Sequence, residues 1–179
     1  MSSVKGVSEL QAALLQVPAQ FEANIKRGAL AAAAKVIAEQ ARQNIQPGQV
    51  SDKNRALYGG YSGALRDSIR VRTYIPADGE SRAVVRAGGK AKGGATTYYA
   101  WWIEHGTAAH VIKSKTGKVL AFGGQFAQSV QHPGLAPRPF MRPALDQAHA
   151  QAVDAFIKYA QDRLAGEGLN TPDTYQDAA

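Results

Sequence analysis

The sequence predicts an α+β chain of one domain. Two observations carry this expectation: stretches of helical periodicity stand at both ends, and short alternating segments punctuated by glycine and proline lie between them. A length of 179 residues suits one domain. The expected boundaries are 1–165 for the domain and 166–179 for a flexible acidic tail.

The first helix signal is Ser8, with Gln11 three residues on, before Leu10, Leu14 and Leu15. Pro18 stands where a new helix can begin. From there Phe21, Ile25, Ala29, Ala33, Ile37, Ala41 and Ile45 recur every four residues, widened by Leu30 and Val36. Glu22, Lys26, Arg27, Lys35, Glu39 and Arg42 occupy the other side, so the segment reads as a long amphipathic helix. The alanine run at 29–34 would let a neighbouring element approach closely.

Residues 46–62 read as loop, from Pro47-Gly48 and Gly59-Gly60. Residues 68–75 alternate, with Ile69, Val71, Thr73 and Ile75 opposite Arg70, Arg72 and Tyr74, as in a half-buried strand. Asp78-Gly79 marks a turn, and 82–87 is the expected return strand. The glycine- and lysine-rich run 88–94 reads as flexible. A second hairpin is expected between 109–112 and 119–122, around Ser114, Lys115, Thr116 and Gly117. Residues 143–164 form the last amphipathic helix, with Leu145, Ala148, Ala152, Phe156, Ala160 and Leu164 on its apolar face and Gly166 and Gly168 ending it.

Composition narrows the chemistry. With no cysteine there are no disulfides, thiolates or Cys-ligated zinc. No apolar stretch approaches the roughly 20 residues that span a bilayer, and the N-terminal residues lack a signal-peptide layout. The chain is therefore expected in a cytoplasm, without membrane contact. The net charge of +7 is concentrated in the middle, where 53–118 holds twelve cations and four acids. Arg70, Arg72, Arg82, Arg86, Lys90 and Lys92 are thus candidates to face DNA or an acidic partner. No recognition helix, OB-type or RNP pattern accompanies them.

Neither a metal nor a cofactor is expected. His105 and His110 are five apart, whereas a helical zinc pair needs a spacing of four. No nucleophile elbow occurs. Glu104 is the only acid between residues 81 and 145 and sits between Trp102-Ile103 and His105, which makes it a candidate perturbed acid. The ordinary alternative is a carboxylate satisfied by backbone N–H or arginine. The adjacent Trp101 and Trp102 suit either a split between core and neighbour or a shared core. In the run 132–144, Pro133, Pro137, Pro139 and Pro143 oppose regular hydrogen bonding, so the segment is expected to be a rigid lead-in that sets the last helix against the sheet. Phe140 and Arg142 would pack inside the subunit or at its joint.

Several landmarks follow one another in a specific order. They are Gly63-Ala64-Leu65-Arg66-Asp67-Ser68-Ile69, then Tyr99-Ala100-Trp101-Trp102-Ile103-Glu104-His105-Gly106-Thr107, then Lys118-Val119-Leu120-Ala121-Phe122. His132-Pro133-Gly134 and Pro139-Phe140-Met141-Arg142-Pro143-Ala144 complete the set. Together they resemble the tail-completion, or neck, proteins of long-tailed lambda-like phages, a family of head–tail joining and minor tail components. The resemblance implies a small antiparallel β-sheet packed by long N-terminal and C-terminal α-helices.

It also implies a non-enzymatic virion protein, assembled in the host bacterial cytoplasm. Copies would form a ring, expected to be a hexamer, between the head connector or stopper protein and the tail tube, with DNA passing through without sequence recognition. Trp101, Trp102, Glu104, His105, Phe140 and Arg142 are the interface candidates. The alternative is a DNA-binding accessory protein using the basic middle segment. A third reading is a hydrolase using Glu104 and His105.

Overall fold

A computed structural model describes residues 11, 19–45, 63–74, 76, 80–91, 94–114, 119–122 and 124–166. In chain order its elements are α1 (Ala19–Asn44), α2 (Ala64–Asp67), β1 (Arg70–Tyr74), β2 (Arg82–Arg86), α3 (Ala100–His105), β3 (His110–Lys113), β4 (Leu120–Phe122), β5 (Gln125–Ala127), β6 (Ser129–His132) and α4 (Met141–Gly166). The architecture is α+β, as expected. The Ser8 helix start (Gln11 apart), the loop 46–62, the Asp78-Gly79 turn, Lys92, residues 115–118 and the tail beyond Gly166 lie outside the described residues.

The two 26-residue helices α1 and α4 pack along one another in opposite directions. Ile25 and Ala29 of α1 meet Ala160 and Leu164 near the end of α4. Ala38 and Ala41 lie at the other end with Ala144, where Leu65, Ile69, Ala100 and Phe140 complete the larger core. Alanine dominates the seam, so the helix backbones approach closely. Gly28 serves the same end, since a Cβ there would strike the Tyr159 ring.

The buried row on α1 departs from the four-residue repeat. Ala34 and Ala38 are buried, while Ala33 and Ile37 are only half-buried. A strict repeat of four drifts by about 40° per step on a helix of 3.6 residues per turn. It cannot hold one face over seven positions. The buried row instead steps across the helix between Ala29 and Ala34, beyond which α2, α3 and the first hairpin join the start of α4 in covering it.

Strands β1 and β2 pair antiparallel, with Arg70 opposite Arg86, Arg72 opposite Val84 and Tyr74 opposite Arg82. Val71 and Val85 pack inward on the larger core, and the period-two alternation sends the arginines outward. The hairpin end is held by two buried hydroxyls. Ser68 Oγ donates to the Leu65 carbonyl at 2.6 Å and accepts from the Gly88 N–H at 2.9 Å. Thr97 donates to the Gly89 carbonyl through both its backbone N–H and its Oγ1. The run 88–94 was expected to be flexible, but its described part is folded. Lys90 bridges Thr96, and Ala91 and Ala95 are buried with Ala64.

The second hairpin differs from expectation. β3 pairs with β6 instead of 119–122, and β4 pairs with β5. The chain turns back directly after Phe122 through Gly124, whose φ of 79° suits glycine. That leaves β3 to pair with a later strand. Among the described residues the β-structure is accordingly three two-stranded antiparallel sheets, where one was expected.

The proline-rich lead-in is rigid for a different reason than its prolines alone. Leu135 exchanges both backbone hydrogen bonds with Thr107, and the Arg138 N–H donates to the Ile103 carbonyl at 2.7 Å. The expectation of a stretch without ladder bonds therefore fails at the non-proline residues. Gly106, at φ 73°, has room for no side chain, because a Cβ would sit 2.5 Å from the Leu135 oxygen. Phe140, 1% exposed, ends the lead-in inside the core. Phe140→Ala should cost about 3–5 kcal/mol, read as a lowered midpoint in urea unfolding with an unchanged slope.

Candidate subunit interface and arginine face

An α-helix begins with four backbone N–H groups that have no partner within it. At α4 these belong to Phe140, Met141, Arg142 and the residue at 143. Position 143 is proline and has no N–H. The other three donate to one carboxylate from a different helix. Glu104 Oε2 accepts from Phe140 at 2.7 Å and from Met141 at 3.0 Å, and Oε1 accepts from Arg142 at 3.1 Å. All four groups are thus accounted for by Glu104 and Pro143 together.

Burial acts to raise the Glu104 pKa. The three backbone N–H bonds, from Met141, Phe140 and Arg142, and the nearby charge of His105 outweigh it and hold the carboxyl below its ordinary range. The anion also lies at the positive end of the helix dipole. A carboxylate engaged in this way stays ionised and caps a helix. It is the opposite of a raised-pKa general acid, and both of its oxygens are already occupied.

Glu104 sits on α3, whose other face is aromatic. Trp101 is 66% exposed, Trp102 46% and the preceding Tyr98 58%. Trp101 stacks on His105 with ring centroids 3.8 Å apart, and Tyr98 meets Trp102 edge-on at 5.5 Å. Neither tryptophan fills the core, contrary to both arrangements expected for the pair. Ala100 is the buried residue of α3, with Tyr99 and Ile103 packing partly beside it, so the two tryptophans fall on the outer arc of this short helix. Large apolar side chains grouped in solvent mark interaction surfaces. Phe126, 73% exposed on the β4–β5 ribbon, is a further one.

The outer side of the β1–β2 hairpin is cationic. Arg70, Arg72, Arg82 and Arg86 are all exposed, and the Arg82 guanidinium lies 5.5 Å from the centre of the Tyr74 ring. Lys90 is exposed just beyond the hairpin.

The structure thus gathers Trp101, Trp102 and His105 into one exposed face, with Glu104 behind it. Arg142 is exposed at the start of α4. Phe140 is not a surface residue at all; it is a core anchor, because its own N–H is drawn to Glu104 and its ring is carried into the cluster with Leu65, Ile69 and Ala144. Sequence reading missed Ser68, Thr97 and Tyr98. The first two gave no signal, since isolated hydroxyls look alike before folding. Tyr98 adjoins Tyr99 and the tryptophan pair, and that aromatic density was its signal. Among the described residues, no group of three or more His, Cys, Asp or Glu could hold a metal ion, and no helix is long and apolar enough to cross a membrane.

Residues 8–106, more than half of the chain, match the family model HK97-gp10_like, described as "Bacteriophage HK97-gp10, putative tail-component". The match covers α1, the arginine hairpin and the aromatic helix α3. No curated protein and no solved structure matches the chain.

Glu104→Gln keeps the side-chain shape but replaces one acceptor oxygen by a donor facing N–H groups. A loss of about 1–2 kcal/mol is expected at pH 7. Because the native carboxyl pKa is lowered, its stabilisation is complete above the ordinary value of 4.5 and fades as pH falls through the lower native value. The gap between parent and variant should therefore narrow as pH is lowered below 4.5, as measured by urea unfolding at stepped pH.

Proposed function

The chain belongs to this family of bacteriophage tail components, and on that premise we propose that it is a non-enzymatic structural subunit of the virion neck. Copies of it form a ring, six-fold in this reading, that joins the tail tube to the head connector and leaves a passage for DNA. The observation that carries the reading is the aromatic face of α3. Tyr98, Trp101 and Trp102 present large apolar area to solvent on a helix whose inner side is locked to the body by Glu104. Rigid, exposed aromatics are the side chains that dominate protein–protein binding energy. The cap supports the reading too, because it commits the one isolated acid of the region to helix geometry.

The ribbons suit the same role. All four residues of β3 are exposed, as are three of the four in β6. A two-stranded ribbon gains little stability alone in water, and contact with a neighbouring copy or with tube subunits would supply the missing burial.

The test is assembly. By light scattering after size exclusion, the chain alone or mixed with tail tubes should form a defined oligomer or a tube-bound species. Trp101→Ala combined with Trp102→Ala should abolish that species while leaving stability within about 1 kcal/mol, as expected for exposed positions. A parent chain that stays monomeric and never joins tubes would overturn the proposal.

A further inference from the structure

Six side chains point outward from the β1–β2 hairpin: Arg70, Arg72 and Tyr74 on one strand, and Arg82, Val84 and Arg86 on the other. Four of the six are arginine and none is acidic, whereas a merely solvated face usually mixes both signs. The register aggravates the imbalance by setting Arg70 directly opposite Arg86. Like charges placed so across strands repel one another. An anion lying between them would reverse that repulsion.

The geometry provides for one. Arg70, Arg72 and Arg86, with Ala87 and Gly88, line an open cavity of about 230 Å³. Arg70 is already fixed in place, since its Nη2 donates to the Gly88 carbonyl at 3.0 Å. Gly89 makes room for it, because a Cβ there would come within 2.8 Å of that nitrogen. A guanidinium held before the ligand arrives loses less freedom on binding.

We infer that this face docks the phosphodiester backbone of nucleic acid, with one phosphate seated between Arg70, Arg72 and Arg86. The inference goes beyond the ring reading and does not rest on it. Two features favour a phosphate chain over an acidic protein surface. The centre of a protein–protein interface is poor in charge and rich in apolar anchors, and this face offers only Tyr74 and Val84 among its arginines. The cations also form a row. Arg70 and Arg72 stand roughly 7 Å apart along one strand, and Arg82 continues the row at the far end of the ribbon, over Tyr74. A row of charges suits a repeating anion, and contacts of this kind to phosphate read charge and not sequence.

Fluorescence anisotropy with a labelled 30-base-pair duplex of arbitrary sequence tests the assignment. The full chain should bind at low salt, with affinity falling linearly in log–log form as salt rises. Arg72→Ala with Arg86→Ala should weaken binding at least tenfold and make its dependence on salt shallower, since the seated phosphate keeps only Arg70. Arg27→Ala with Arg163→Ala removes the same charge from the exposed sides of α1 and α4 and should change affinity less than threefold. All four substitutions are at exposed positions, and melting curves confirm that both doubles fold. The inference is overturned if the parent fails to bind at low salt, or if both doubles lose affinity equally. It is overturned as well if octaglutamate binds more tightly than the duplex, or if inorganic phosphate binds as tightly as the duplex does.

Discussion

A helix that starts on a protein's surface must find partners for its first N–H groups, and α4 finds them in a carboxylate borrowed from another helix. Glu104 bonds three successive amides, and Pro143 removes the fourth donor. Much of the molecule's arrangement depends on this contact. It fixes α3 against the start of α4, and the neighbouring bonds between Arg138 and Ile103 and between Leu135 and Thr107 extend the joint. Charge-assisted bonds of this kind are stronger than neutral ones. The joint consequently sets the direction in which the tryptophans of α3 point.

With that joint in place, burial is divided cleanly. Phe140 enters the core directly beside its own capped N–H, and the alanine seam brings α1 and α4 close along their length. The bulky aromatics of α3 remain outside. The core uses mainly small side chains where the helices meet, with Ile25, Phe140 and Leu164 as its largest fully buried members. The hydrogen bonds of the cap tie the exposed face of α3 to the start of α4.

Much of this was legible in the sequence, for reasons that can be named. The two long helices announced themselves by periodicity, because buried positions on a helix recur within a few residues. The β1 strand was visible through its alternation, with Val71 inward and Arg70 and Arg72 outward, and 82–87 could be read as its return strand. The basic face and the isolation of Glu104 could also be read directly. The β3–β6 pairing could not. Gln125, Gln128, Ser129, Gln131 and His132 hide a strand among polar residues, and a ribbon exposed on both sides has no alternation to show. That Glu104 is satisfied by backbone N–H groups was one of the two readings the sequence offered, but which groups was hidden, since they lie 36 to 38 residues further on. Only folding brings a lone acid to a helix start. Proline content was the right signal for a stiff lead-in, but Gly106 and Gly134 matter as much, because a Cβ on either would strike the backbone of the facing segment.

Glu104 caps α4 as an ionised carboxylate. This is tested most directly by following the Glu104 side-chain carboxyl carbon by NMR through an acid titration, together with the amide protons of Phe140, Met141 and Arg142. An ionised cap gives a carboxyl that titrates clearly below 4.5, with the three amide resonances moving in the same step. A carboxyl that titrates at or above 4.5, with those amides indifferent to it, would contradict the account.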